Sequence, residues 1–294
     1  MNIPSTRQLL VQVGSLLLLL TGMSVDVFAN NDTLSGQQLM NKVYERHQQF
    51  PYVYEEQSMV LEDSKGKRDT RRAKRYTRLG SDGSVKFLLL FEYPEDIRGV
   101  AVLAERDAQG RIDKRLYLPA LGETMLDSAG DATSTNFLGT DFTVECLTGE
   151  DLSTYRYQRQ EDQVLDGIAY HVVDVFPLEK RTTNALRRHY IRKDNLYITL
   201  TRHFDRQGRV SRVQSHHDLR AVDGDMWRAD MILMVDKKEQ HQSLIKISKR
   251  IFSSDYVPPE VFTESWLYEN YPYKEPADED DYEAISLLRE AMTQ

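Results

Sequence analysis

The stretch MWRADMILMV, residues 226–235, shows the pattern that decides the fold. Apolar side chains occupy every second position, and these are Trp227, Ala229, Met231, Leu233 and Val235. The charged Arg228 and Asp230 lie between them. Successive side chains of a strand point to opposite faces, so this alternation predicts a strand with one apolar and one polar face.

The same alternation recurs along residues 52–252, in segments that short turn signals separate. The signals contain residues that tolerate positive φ, namely Asp82-Gly83, Gln109-Gly110, Asp166-Gly167, Asp194-Asn195, Gln207-Gly208 and Asp223-Gly224. Strands this close together, with few helical segments between them, predict one large antiparallel sheet of about ten strands. The fold class is therefore mainly β.

An apolar sheet face of this size cannot remain in water, so the sheet must curl or be covered by helices. Three covering segments are predicted: a helix over residues 35–50, a short turn near 147–152, and residues 259–268. Ser35 and Gln38 form a candidate capping box for the first of them. A curled sheet with helices over its mouth encloses an apolar concavity, which either side chains or a hydrophobic ligand fills.

The N-terminal residues have the pattern of an export signal. Arg7 precedes an apolar run over residues 9–20, and Val27-Phe28-Ala29 fits the small-residue cleavage rule. We expect cleavage after Ala29 and a periplasmic protein; because Asn30 rather than cysteine follows, we expect no lipid anchor. The predicted organisation is a signal peptide at 1–29, a domain at 30–268 and an acidic tail at 269–294.

Composition and motifs argue against several function classes. The net charge of −8 and its distribution give no basis for nucleic-acid binding. Cys146 is the single cysteine, so no internal disulfide can form. No metalloprotease, zinc-ribbon or nucleophile-elbow motif occurs. His216 and His217 are adjacent in a predicted strand and face opposite sides, so they cannot share a metal. We expect no enzyme, metal or cofactor.

Residues 65–78 are strongly basic, with eight Lys or Arg and one acid. Charge of this kind protects the edge of a sheet from aggregation, so the stretch is interpreted as a solvated edge strand. The alternative is a docking surface for anionic lipid headgroups or an acidic partner.

Three motifs together resemble a known family. They are RLYLPALG at 115–122, FLGTDFT at 137–143 with Glu145 and the later Glu150-Asp151-Leu152, and MWRADM at 226–231 with VFT at 261–263. Their order and spacing resemble the LolA-like outer-membrane lipoprotein-sorting family. One departure lies after the middle motif: the family usually continues Tyr-Glu-Asp-Leu, where this chain has Val144-Glu145-Cys146-Leu147.

The resemblance implies an unclosed β barrel with helices over its mouth, and a carrier of acyl chains or whole lipoproteins in the periplasm. It also implies association with an inner-membrane transporter of the resistance-nodulation-division (RND) type. We expect a monomeric carrier that moves a lipid or lipoprotein toward the outer membrane. The predicted lipid-binding residues are Phe87, Leu89, Phe91, Leu116, Leu118, Leu196, Ile198, Leu200, Trp227, Met231, Leu233, Ile245 and Ile247. The alternative is a non-catalytic module with a filled barrel that docks on such a transporter or on a signalling partner.

Overall fold

The computed structural model describes residues 34–48, 50–120, 122–126, 136, 138–143, 145–146, 149–178 and 186–273. The expected signal peptide and most of the acidic tail lie outside these residues. The domain boundaries therefore stay predictions. Within the described part, no helix is both long and apolar enough to cross a membrane.

Thirteen strands of the described residues form one antiparallel sheet. They are β1 (Tyr52–Glu62), β2 (Arg68–Leu79), β3 (Val85–Tyr93), β4 (Ala101–Arg106), β5 (Ile112–Leu118), β6 (Glu123–Leu126), β7 (Tyr155–Leu165), β8 (Ile168–Pro177), β9 (Leu186–Arg192), β10 (Ile198–Phe204), β11 (Val210–Asp223), β12 (Met226–Asp236) and β13 (His241–Ile251). The spatial order is β6-β5-β4-β3-β2-β1-β13-β12-β11-β10-β9-β8-β7. The sheet is an unclosed barrel with β6 and β7 at its edges, and the mainly β prediction is confirmed.

Five of the six predicted turn signals lie between consecutive strands, and the sixth, Asp223-Gly224, begins at the last residue of β11. In the β7–β8 hairpin, Asp166 and Gly167 have φ of 50° and 78°. Such values are costly for most residues and acceptable for Asp and Gly, which is why a two-residue turn needs them. The strand number exceeds the predicted ten in part because β6 has four residues, too few to show an alternation.

Helices at Gly36–His47 and Glu264–Asn270, both within the described residues, cover opposite faces of the sheet. Helix α1 (Gly36–His47) begins at the predicted capping box, where Ser35 Oγ accepts from the Gln38 N–H at 3.2 Å. It buries Leu39, Met40 and Val43 against the inner face, and it ends at His47, earlier than predicted. Helix α2 (Glu264–Asn270) follows a 3₁₀ turn, and its Leu267 is packed against the outer face of β3–β5.

One half of the inner face is a packed apolar cluster, here called the filled half. Its members are Met59, Leu61, Ala73, Phe87, Leu89, Phe91, Val100, Val102, Ala104, Leu116, Leu118, Phe142, Met234, Ile245 and Ile247. Strand β3 is buried on both faces, because Leu88 and Leu90 lie beneath α2 on the other side. This half of the molecule is conventional protein core, and burial of its apolar area is its main stabilisation.

Candidate functional site

The filled half brings together seven of the predicted lipid-binding residues. They are Phe87, Leu89, Phe91, Leu116, Leu118, Ile245 and Ile247. None of them is more than 5% exposed, and they contact one another. In the fold these residues are core side chains. That they contact lipid stays a prediction.

Strand β12 corrects the predicted face of Met231, Leu233 and Trp227. Ile232 pairs with Ile245, and Met231 pairs with Lys246. Directly paired residues share a face, so Ile232 and Met234 point inward, whereas Met231, Leu233 and Trp227 belong to the outer face. Residues 231–235 are apolar on both faces, so alternation alone cannot say which face is inside.

Strand β10 corrects the predicted face of Leu200. Its pairing with β9 is irregular between Ile198 and Leu200, where one extra residue is accommodated. A one-residue irregularity moves every later side chain to the other face. Ile198 therefore shares the inner face with Thr201, while Leu200 packs outside against Tyr170, Val172 and Tyr190. Leu196 lies in the preceding turn at φ 56° and packs against the cluster beneath α1.

The other half of the inner face surrounds a cavity of about 340 Å³ and is here called the open half. Helix α1 forms one wall, and strands β1, β2 and β9–β13 form the others. Its apolar lining consists of Met40, Val43, Phe50, Val53, Leu79, Leu152, Ile198, Ile232 and Ile247. Ile198 and Ile247 are the predicted lipid-binding residues that line it.

Charged and hydrogen-bonding side chains also line the cavity, and the sequence analysis missed them. They include Glu55, Arg75, Glu145, Glu150, Arg187, Arg228, Arg250, His47, His189, His203 and His216. A signal was present, because Arg187 and His189 alternate along β9 as inward residues would. The sequence analysis did not use this signal, because polar residues at every second position of a strand ordinarily indicate a face in contact with water.

One segment contacts both halves of the inner face and is here called the plug segment (the described residues 136, 138–143, 145–146 and 149–150). Phe142 is 2% exposed and belongs to the filled half. Thr140, Asp141, Thr143 and Glu145 are buried as well. This segment contains the described residues of the FLGTDFT motif, four of which are therefore buried in the interior of the protein.

Side chains from several strands hold the plug segment by its backbone. Arg71 of β2 donates to the carbonyl of Leu138 at 2.6 Å. Arg106 of β4 donates to the carbonyl of Gly149 at 2.9 Å. These two hydrogen bonds give half-buried carbonyls of the plug segment a charged donor, which makes them stronger than bonds between neutral groups.

Arg187 is the central cation of the open half. It lies 3.0 Å from a carboxylate oxygen of Glu145 and 3.2 Å from one of Glu150. The hydroxyls of Tyr155 and Tyr157 donate to the same two carboxylates. Burial alone would raise the pKa of Glu150, but Arg187 and its hydrogen bonds lower this pKa to about 2. Glu150 is therefore charged at neutral pH, and Arg187 ties both glutamates of the plug segment to β9.

A second ion-pair network lies on the side of the cavity formed by β1, β2, β12 and β13. Arg250 of β13 donates to Glu55 at 2.6 Å and to Asp230 at 2.8 Å, and Arg75 lies 3.3 Å from Glu55. Arg75 belongs to the basic stretch, whose strand β2 is paired with both β1 and β3. The edge-strand interpretation is therefore wrong, because some of these cations point into the interior.

His47 and His216, which both line the cavity, are neutral at pH 7. Burial, with Arg228 as the next cause, lowers the pKa of His47 to about 4, and burial lowers the pKa of His216 to about 4. His216 donates from Nδ1 to the carbonyl of Ile198 at 2.8 Å, and its Nε2 lies 2.8 Å from the Gln214 amide nitrogen.

A serine, an aspartate and a histidine meet at the plug segment, but not as a catalytic triad. Ser243 Oγ donates to Asp141 Oδ2 at 2.7 Å, and His241 Nδ1 lies 2.8 Å from the same oxygen. The carboxylate lies between hydroxyl and imidazole, so no histidine is placed to take the serine proton. Across the described residues, no three His, Cys, Asp or Glu side chains are grouped to hold a metal.

Comparison with known proteins gives a family and a fold. A family model described as an uncharacterized protein matches residues 83–269. The chain is similar to a domain described as an outer membrane lipoprotein-sorting protein from Vibrio parahaemolyticus (TM-score 0.73, 20% identity, covering 79% of this chain and 97% of that one). It is also similar to a DUF1329 family protein from Desulfovibrio piger (0.69, 22%, 78% and 98%).

A LolA superfamily protein from Nitrosomonas europaea is similar as well (TM-score 0.63, 16% identity, covering 79% of this chain and 99% of that one). At these identities the likeness concerns the fold, which is LolA-like. A search of curated proteins finds no match.

Proposed function

The chain belongs to the family of uncharacterized proteins whose model matches residues 83–269 and has a LolA-like fold, and from this premise we propose that it is a periplasmic carrier of acyl chains. The cargo is a lipid or lipoprotein on its way toward the outer membrane. An inner-membrane RND-type transporter is the proposed donor. The observation that carries the proposal is the cavity of about 340 Å³ beneath α1.

The physical case rests on the apolar lining of that cavity. Each CH₂ group removed from water is stabilised by about 0.8 kcal/mol, so an exposed chain of fourteen carbons would cost on the order of 10 kcal/mol. Met40 and Val43 of α1 and Ile198 of β10 offer apolar surface to the cavity. A volume near the lower end of typical ligand sites suits part of one chain rather than a whole multi-chain lipid.

Ile232 and Met231 provide a matched test, because they are neighbours on β12 that point to opposite faces. Ile232→Phe places a larger side chain in the cavity and reduces its volume, whereas Met231→Phe adds the same ring on the outer face of the sheet. The full chain is purified without detergent and examined by native mass spectrometry, before and after addition of palmitoyl probes at micromolar concentration. We expect lipid adducts on the wild type and on Met231→Phe, and at least a several-fold loss on Ile232→Phe.

Two results would decide against this carrier. Full adducts on Ile232→Phe would place the lipid elsewhere on the molecule. A clean mass for the wild type, with no binding of added acyl probes, would favour the alternative of a docking module.

A further inference from the structure

Arg228 is a cavity cation whose donors are only partly used. Its guanidinium donates to the carbonyl of Trp227 at 2.9 Å and to the carbonyl of His47 at the end of α1. A guanidinium has five N–H donors, so several remain. Among the described residues, Arg228 forms no ion pair with a carboxylate, although it lines the cavity.

The carboxylates around the cavity are paired with arginines other than Arg228. Four arginines face three glutamates. Glu55 is paired with Arg75 and Arg250, whereas Glu145 and Glu150 are paired with Arg187. Asp230 is paired with Arg250 as well, so among the described residues each of these carboxylates is paired with an arginine other than Arg228. In a site of low dielectric the unpaired guanidinium of Arg228 would attract an anion strongly.

His47 places a second donor beside Arg228. Its Nδ1 accepts from the Trp227 N–H at 3.3 Å, so the neutral ring carries its proton on Nε2. That Nε2 is buried without a hydrogen-bond partner within the described structure, and the side chain is 7% exposed. A buried donor without a partner is unfavourable by itself, which points to a ligand that supplies an acceptor.

His203 is an independent sign of a polar ligand in the same cavity. It is 4% exposed, it lines the cavity, and neither of its ring nitrogens has a hydrogen-bond partner among the residues described. An acyl chain alone would leave these nitrogens unsatisfied. The cavity thus has polar requirements that a purely apolar cargo does not meet.

We propose that the cavity binds an amphiphile by an anionic oxygen-bearing head group, which Arg228 and the Nε2–H of His47 receive. Met40, Val43 and His47 recur along one stripe of α1, so the tail follows the apolar wall that begins beside the head group. The inference rests on the proposed carrier function and names its substrate class. A fatty-acid carboxylate and a lipid phosphate share this chemistry.

The test compares ligands of equal chain length and different head groups. Equilibrium dialysis with radiolabelled palmitate, hexadecanol, palmitoyl lysophosphatidate and monopalmitoylglycerol, each below its critical micelle concentration, gives four affinities for the full chain. We expect each anionic ligand to bind about tenfold more tightly than its neutral counterpart, as a charged buried hydrogen bond requires. The tighter of the two anionic ligands identifies carboxylate or phosphate as the preferred head.

Variants connect this selectivity to the two donors. Arg228→Gln and His47→Leu are expected to reduce the preference to about twofold, whereas His47→Gln, which keeps an N–H donor, retains most of it. Arg156→Gln, an exposed arginine on β7, is the control and leaves the preference unchanged. Melting temperatures confirm that each variant is folded. If Arg228→Gln does not fold, the selectivity of His47→Leu alone tests the head-group site.

Equal affinity for charged and neutral ligands in the wild type would overturn the head-group site and leave the carrier proposal standing. Undiminished selectivity in both Arg228→Gln and His47→Leu would overturn it as well. Binding of none of the four ligands would overturn both proposals.

Discussion

The filled half and the open half lie on the same inner face of one sheet, yet they differ in almost every property. In the filled half, Phe87, Leu89 and Phe91 are fully buried among apolar neighbours. In the open half, Arg187 and His189 occupy equivalent inward positions beside a cavity. The plug segment contacts both of them. Curvature provides the enclosed space, and the residues placed inside it decide whether the space is core or site.

The open half is built from interactions that contribute less to stability. Burying an ion pair such as Arg187 with Glu145 carries a desolvation cost that offsets much of the attraction between the charges. What the pair provides is position, because it ties the plug segment to β9. We therefore expect mutations in the two halves to differ in kind as well as in size.

The largest expected effect is that of Leu89→Arg. A charge without a partner in the filled half should remove more than about 4 kcal/mol of the free energy of unfolding and leave little folded protein. Met231→Arg, on the outer face, should remove about 1–2 kcal/mol. Urea denaturation followed by circular dichroism compares them. A folded Leu89→Arg protein would mean that the filled half can open.

Arg187→Met should have the next largest effect. It leaves Glu145 and Glu150 buried and without their cation, which typically removes about 3–5 kcal/mol. Arg192→Met breaks a half-exposed pair with Asp194 on the same strand and should remove about 1 kcal/mol or less. Equal urea midpoints for the two variants would show that the Arg187 network does not secure the plug segment.

Acid should weaken the open half before it affects the filled half. Burial lowers the pKa of His216 from 6.5 to about 4, so between these pH values the unfolded chain binds a proton that the folded chain does not. The free energy of unfolding therefore falls as the pH falls from about 6.5 to about 4, by roughly 2 kcal/mol for this half-buried ring.

Urea midpoints at pH 7.5 and 4.5 measure this dependence. His216→Asn keeps a donor near the carbonyl of Ile198 and should lose part of the pH dependence. Lys246→Gln, at an exposed position of β13, is the control and should leave the pH dependence unchanged. An identical pH dependence in all three proteins would refute the assignment.

The smallest expected effect is that of Ser35→Ala at the start of α1. Loss of the capping box should remove about 1 kcal/mol. Because α1 is a wall of the open half, hydrogen exchange should quicken in α1 and remain unchanged in β3. Uniform acceleration over both elements would mean that α1 does not open independently.

Sequence alone determined the architecture of this protein. Period-two alternation and turns such as Asp166-Gly167 depend on local backbone geometry, which neighbouring residues fix by themselves. The capping box of Ser35 and Gln38 is local in the same way. These features predicted the antiparallel sheet, its hairpins and the start of α1, and the motifs at 115–122, 137–143 and 226–231 indicated the family resemblance.

Only the tertiary structure decided which face is inside and what the interior contains. An irregular pairing at residue 199 turned Leu200 outward, and pairing with β13 turned Ile232 rather than Met231 inward. Arg187 meets Glu145 and Glu150 across about forty residues of chain, and Arg228 meets His47 across 181. Such partners come together only after the sheet has curled, because their contact depends on register and curvature, which no local pattern encodes.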